Sequence, residues 1–169
     1  MNQTEAAKGH ASRPACVKTA MKKTELQERV REAHKGLTTA LEGLTDEEAT
    51  RVGLTEQWSI KDALSHISAW EIEVARIVGE IQAGTWKPQR LNQEAIDEFN
   101  RKAVEDRRER SFPQVREEFD AAHSEMERVI ASLPEEVDES TPAYKYIEAV
   151  TFKHFAHHGA QIQKMRDEG

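Results

Sequence analysis

The sequence predicts an all-α protein: an antiparallel four-helix bundle with an extra helical segment before the third long helix. Three observations carry this expectation. Four long stretches place apolar residues at three- and four-residue spacing, the period of a helix face turned toward a core. Ser and Thr caps, capping-box partners, Pro near helix starts and a Gly at a helix end punctuate those stretches. No segment alternates apolar and polar residues as a half-buried strand does, so no strand is expected.

Residues 1–20 lack periodicity and have few large apolar side chains, and are read as a disordered N-terminal tail, with the bundle domain over 21–169. The first helix opens near Thr24 and carries Leu26, Val30, Ala33, Leu37, Ala40, Leu41 and Leu44 as one inward stripe. Thr45-Asp46-Glu47-Glu48 has capping-box form and starts a short turn. Ser59, with Asp62 at the box position, caps the second long helix, and Gly84 stops it. Its buried face is Ile60, Ala63, Leu64, Ile67, Trp70, Val74, Ile77, Val78 and Ile81. The extra segment runs from about Leu91 through Ile96, Phe99 and Ala103 into a charged run. Ser111, Pro113 and Gln114 then start the third long helix, with Phe112, Val115, Phe119, Ala122, Met126, Val129 and Leu133 facing inward. Leu133-Pro134 ends it, and Thr141-Pro142 opens a last helix expected to reach about Arg166.

At 169 residues, with 37% hydrophobic and 33% charged side chains, the chain suits one soluble helical domain with a sizeable core. No apolar run approaches the roughly 18 residues of a membrane span, and residues 1–20 resemble neither a secretory signal nor a transit peptide. A cytoplasmic location without a membrane partner is expected. The single cysteine, Cys16, excludes an intramolecular disulfide and fits a reducing compartment. The formal charge is −7, and Lys8, Arg13 and Lys18 make the tail basic, so the rest of the chain is more acidic still. Such a domain should repel nucleic acid. Arg107, Arg108 and Arg110, interleaved with Glu105, Asp106 and Glu109, read as a solvated helix face.

Three histidines carry the chemistry. His154 and His158 are four residues apart, so on a helix their rings lie one turn above the other. They share the inward stripe of Ala143, Ile147, Val150, Gln161, Ile162 and Met165. Buried imidazoles need polar partners, and one metal ion satisfies both. The third ligand would come from another helix, and His66 is the candidate. Three imidazoles suit a divalent transition metal such as zinc or nickel and leave a position open to water or substrate, the pattern of a catalytic site. The same residues also read as core histidines bonded to carbonyl groups.

Other positions weigh less. His157 lies at the edge of the stripe and competes with its neighbours as a ligand. Glu73, seven residues past His66 on roughly the same side, is a candidate extra ligand or base. Trp70 reads as a core or pocket-wall residue, Trp58 and Trp86 as packing, and Tyr144 and Tyr146 as packing at a helix start. His34 and His123, set among polar residues, read as exposed.

The run Trp58-Ser59-Ile60-Lys61-Asp62-Ala63-Leu64-Ser65-His66-Ile67-Ser68-Ala69-Trp70-Glu71 resembles the second-helix signature of the DinB-like superfamily, and His154-Phe155-Ala156-His157-His158-Gly159-Ala160-Gln161-Ile162 resembles its last helix. The resemblance implies a homodimeric bundle whose three metal-ligating histidines fall on His66, His154 and His158. It also implies a small-molecule substrate and thiol-dependent transfer or isomerisation with mycothiol or bacillithiol; an open three-histidine metal site is equally compatible with hydrolysis. Leu91-Asn92 and the Ser111-Phe112-Pro113 break resemble the ClbS/DfsB branch, metal-free bundles associated with a reactive metabolite; His158 favours the metal-binding branch. Three readings stay open: a metal-dependent enzyme, a metal-free binding module and a structural protein with core histidines.

Overall fold

The computed structural model describes residues 19–89 and 91–168. Their order is β1 (Ala20–Lys22), α1 (Lys23–Leu41), α2 (Asp46–Thr50), α3 (Ile60–Ala83), α4 (Gln93–Glu105), α5 (Phe112–Ala131), β2 (Glu136–Asp138), α6 (Pro142–Val150) and α7 (Phe152–Glu168). Helices α1, α3, α5 and α6–α7 form the four-membered bundle; α4 packs on α3 as the extra segment. Helix α3 touches α2, α4, α5, α6 and α7, while α1 lies against α7 and α5. Among the described residues no helix is long and apolar enough to cross a membrane.

Local chemistry places the helix starts. Capping boxes close at Thr45/Glu48, Ser59/Asp62 and Ser111/Gln114, satisfying backbone donors that a first turn leaves free. Gly84 ends α3 in the left-handed region, at φ 70°, where a side chain would be strained. Asp46 Oδ1 accepts the Phe112 N–H at 2.8 Å, so α2 holds the start of α5. The predicted stripes meet in one core that includes Leu26, Val30, Ile67, Phe119, Ile147 and Ile162.

Five expectations are corrected. Two strands exist: β1 and β2 pair antiparallel, with Met21 opposite Val137. Three residues each are too few to show alternation, and the ladder joins the chain start to the α5–α6 connection. Ala20, expected in the tail, belongs to this ladder; residues 1–18, with His10 and Cys16, lie outside the described residues. The last helix is divided at Thr151, whose φ of −105° and ψ of −104° leave the helical region. The buried Thr151 hydroxyl donates to the Ile147 carbonyl at 2.6 Å, the i−4 back-bond that bends helices.

Arg107, expected on a solvated face, is buried, donating to the Ala103 carbonyl at 2.9 Å and pairing with Glu118 at 2.6 Å. The last correction concerns His34 and His123. His123 is only 5% exposed, its Nδ1 is 3.0 Å from Glu71 Oε1, and its ring stacks on the half-buried His34 at 3.7 Å between centroids. Glu71 is fully buried. Polar neighbours in sequence disguised a position one turn from Phe119 and Met126 that faces the bundle interior. Burial, then the adjacent His123 and Arg116, push His34 down to about 3. Burial raises the Glu71 carboxyl, opposed by its bond to His123.

Lys23 fastens the end of α5. Its Nζ donates to the carbonyls of Ala131 and Leu133 at 3.2 and 3.1 Å and pairs with Glu135 at 2.7 Å, a cation on the negative end of a helix. Lys23→Met should lower unfolding free energy by roughly 1 kcal/mol in urea titrations. Arg29→Met, which breaks only an exposed pair with Glu25, should change it by less than about 0.5 kcal/mol.

His34 sets a pH dependence. Folded His34 takes up a proton near 3, the unfolded side chain near 6.5, so the unfolded state binds more protons between those values and stability falls as pH drops through that window. His34→Gln should flatten the decline in melting temperature between pH 7 and pH 5; an unchanged slope would contradict a neutral buried His34.

Candidate metal centre

Helix α3 and helix α7 build the site between them. The Ser59 box starts α3, and His66 follows two turns inside it; His154 and His158 lie one turn apart on α7. His66 is 8% and His158 6% exposed, and His154 is half-buried. The Nε2 of His154 is 2.8 Å from that of His66 and 3.0 Å from that of His158. One ligand atom from each ring lies within 4.8 Å of the others.

Three features bear on whether these residues fit a cation. First, protonation: burial is the leading cause that pushes His154 down to about 2 and His66 and His158 to about 4. Neighbouring imidazoles add to this at each ring. All three are neutral near pH 7, as ligation requires. Second, tautomers: His158 Nδ1 is 2.9 Å from Gln161 Oε1, and a carboxamide oxygen accepting that N–H leaves the Nε2 lone pair free. Third, spacing: ligands about 2.05 Å from a tetrahedral zinc stand roughly 3.3 Å apart, only a few tenths of an ångström wider than the separations here. The donor set fits a divalent transition metal. His66 Nδ1 and His154 Nδ1 are buried without a hydrogen-bond partner, so neither ring is settled by the protein alone.

Around the three rings, Trp58 packs against His66, with centroids 5.0 Å apart. His157 is exposed, its ring 5.0 Å from that of His158, and is not among the converging nitrogens. Glu73 pairs with Arg76 on the surface at 2.6 Å and does not join the histidines. Tyr144 is buried in the core, and Tyr146 meets Trp86 edge-on at 6.1 Å. Trp70, half-buried, packs on Phe99 at 4.4 Å and donates its indole N–H to Asn100 Oδ1 at 2.9 Å. Asn100 was missed because α4 reads as a charged surface helix. Gln161 was seen only as a member of the stripe, although its i+3 spacing from His158 signals the contact.

The DinB superfamily profile matches residues 28–162. No curated protein matches the sequence. Among solved structures the chain is similar to DfsB, a sibling lethal factor precursor, at 16% identity and TM-score 0.74, covering 88% of this chain and 96% of that one. It is similar to the colibactin self-resistance protein ClbS, solved with double-stranded DNA, at 13% identity and TM-score 0.73, covering 86% and 95%. A mycothiol-dependent maleylpyruvate isomerase shares 14% identity and TM-score 0.67 over 84% of this chain and 61% of that one. Likeness at such identities shows a common fold. The profile, running from α1 into α7 across both histidine-bearing helices, shows more: this chain belongs to the DinB superfamily.

Proposed function

We propose that this protein is a metal-dependent enzyme acting on a small molecule through one divalent ion held by His66, His154 and His158. The observation that carries the reading is the convergence of three neutral imidazoles, two buried and one half-buried, on one point. When bound, such an ion supplies a Lewis acid that lowers the pKa of a water or thiol, or polarises a carbonyl. The chain's own part is preparation. His66, His154 and His158 present lone pairs, Gln161 holds the His158 tautomer, and Trp58 shields His66 from solvent. Zinc and nickel both suit the donor set. The reading includes a low-molecular-weight thiol, mycothiol or bacillithiol, as co-substrate for transfer or isomerisation; the mycothiol-dependent isomerase of the same fold supports it. Hydrolysis is the alternative reaction at such a site.

A second reading has its own support. DfsB and ClbS match this chain over nearly their full lengths, which favours a metal-free bundle that binds or detoxifies a reactive metabolite. Metal content separates the two. Inductively coupled plasma mass spectrometry on untagged wild type should find about one divalent ion per chain, lost in His66→Ala and His154→Ala. Metal should also raise the melting temperature of the wild type only, by roughly 2.7 kcal/mol of stabilisation at a free concentration one hundred times Kd. Absence of metal after incubation with nickel and zinc would exclude the enzyme reading in favour of the second.

A further inference from the structure

The seam between α1 and α5 holds ionisable groups that the three-histidine site does not use. His34 of α1 lies face to face with His123 of α5, the ring planes 2° apart and the centroids 3.7 Å apart. His123 Nδ1 meets Oε1 of the fully buried Glu71 of α3 at 3.0 Å. Phe119 and Phe155 wall the His34 ring, at 5.2 and 5.8 Å between centroids. A groove of about 290 Å³ runs between the same two helices. Its lining includes Val30 and Arg31, one turn before His34, and Glu127, one turn beyond His123. The stacked rings thus stand one turn along from an open groove, and His123 connects them to a buried carboxyl.

His34 Nε2 is buried and has no hydrogen-bond partner among the described residues. A neutral ring can leave its lone pair there, whereas an imidazolium would place a proton there with no acceptor. It would also set a charge directly against a second imidazole. The charged groups around the stack do not relieve this. Glu71 is bonded to His123. Arg116, 5.9 Å from the Phe119 centroid, has the same sign and pairs with Asp120. Glu127 is exposed on the groove wall, where Arg31 and Arg128 pair with Glu28 and Glu125. Helix α7 contributes the uncharged Phe155. Of the three ionisable members, His34 alone is half-buried, so it has the shortest path to solvent.

We propose that His34 is a proton-operated gate on the α1–α5 groove: neutral, it stays on His123 and closes the groove; protonated, it swings out of the stack and the groove extends to His123 and Glu71. Linkage fixes the direction. The ring takes up a proton near 3 inside the stack and near 6.5 in water. Acidification between those values therefore favours the open arrangement, by up to about tenfold per pH unit for one proton. The gate goes beyond the proposed function and does not rest on metal binding.

Nuclear magnetic resonance of the full chain with labelled histidine reads the gate directly. At pH 7 the ring protons of His34 and His123 should give a cross-relaxation peak. That peak should weaken as His34 gains its proton, while the contact between Phe119 and Phe155 persists. Carbodiimide labelling reads the carboxyl. Modification of Glu71 relative to the exposed Glu94 should rise below pH 6.5, by up to about tenfold per pH unit. His34→Gln, which takes up no proton in this range, should abolish the rise; the wild-type spectra decide the matter should that variant fail to fold. A protonated His34 that keeps its peak to His123, or labelling of Glu71 that stays flat in wild type or rises equally in His34→Gln, would overturn the gate. Joint loss of the stack and of the Phe119–Phe155 contact would overturn it too, since the whole domain would then be unfolding.

Discussion

The cost of taking imidazole out of water governs the interior of this bundle, and the protein meets it in two different ways. On one face of α3, His123 finds the buried carboxylate of Glu71 and a parallel ring in His34. That cluster carries a carboxyl group of its own, although His34 Nε2 and Glu71 Oε2 stay buried without a hydrogen-bond partner among the described residues. On another face of α3, His66 meets His154 and His158, and the converging group holds no carboxylate. Three neutral imidazoles offer several lone pairs around one point and cannot all be donors to one another. The two clusters differ in kind for that reason: one contains a carboxyl group, the other only imidazoles.

The scaffold keeps them apart by helix geometry alone. His66 and Glu71 are five residues apart on α3, about 140° around the helix, so one element serves both clusters. Phe155 does the same on α7. It packs against Phe119, His34 and His123 while its neighbour His154 faces the other way. The break at Thr151 lets α7 take its own direction instead of continuing α6, and the backbone bond from Phe155 N–H to the Thr151 carbonyl, 2.8 Å long, starts α7 close to the histidines. Helix α4 packs on α3, tied to it by Trp70 and Asn100.

How much of this was legible depends on the range of the interactions. The i,i+4 pair His154 and His158 and the capped helix bearing His66 are local patterns, and the three rings do come together. Glu71 also stood in plain view: it continues the Ile67, Val74, Val78 stripe, but a carboxylate there is readable only once His123 is known to face it. His123 was hidden in the same way, its partner lying fifty-two residues earlier. The β1–β2 ladder and the Lys23 contacts to the end of α5 join positions more than one hundred residues apart and leave no periodic trace. Thr151 is one β-branched residue within an otherwise regular stripe, and a bend from one side-chain bond carries no sequence period.

Fold alone does not choose between the enzyme and the metal-free binder, because DfsB, ClbS and the mycothiol-dependent isomerase share it at 13–16% identity to this chain. The choice falls to the donor set. A bundle that only bound a metabolite would gain nothing from three imidazoles whose Nε2 atoms lie 2.8 and 3.0 Å from a common neighbour, since each close approach spends a hydrogen bond on another ring and leaves Nδ1 atoms buried without partners. For a metal site the same arrangement is preorganisation: desolvation keeps the rings neutral, Gln161 selects one tautomer, and neighbouring helices restrict rotation. An ion held by the three Nε2 atoms, as proposed, would give these rings the partner that the protein itself does not supply.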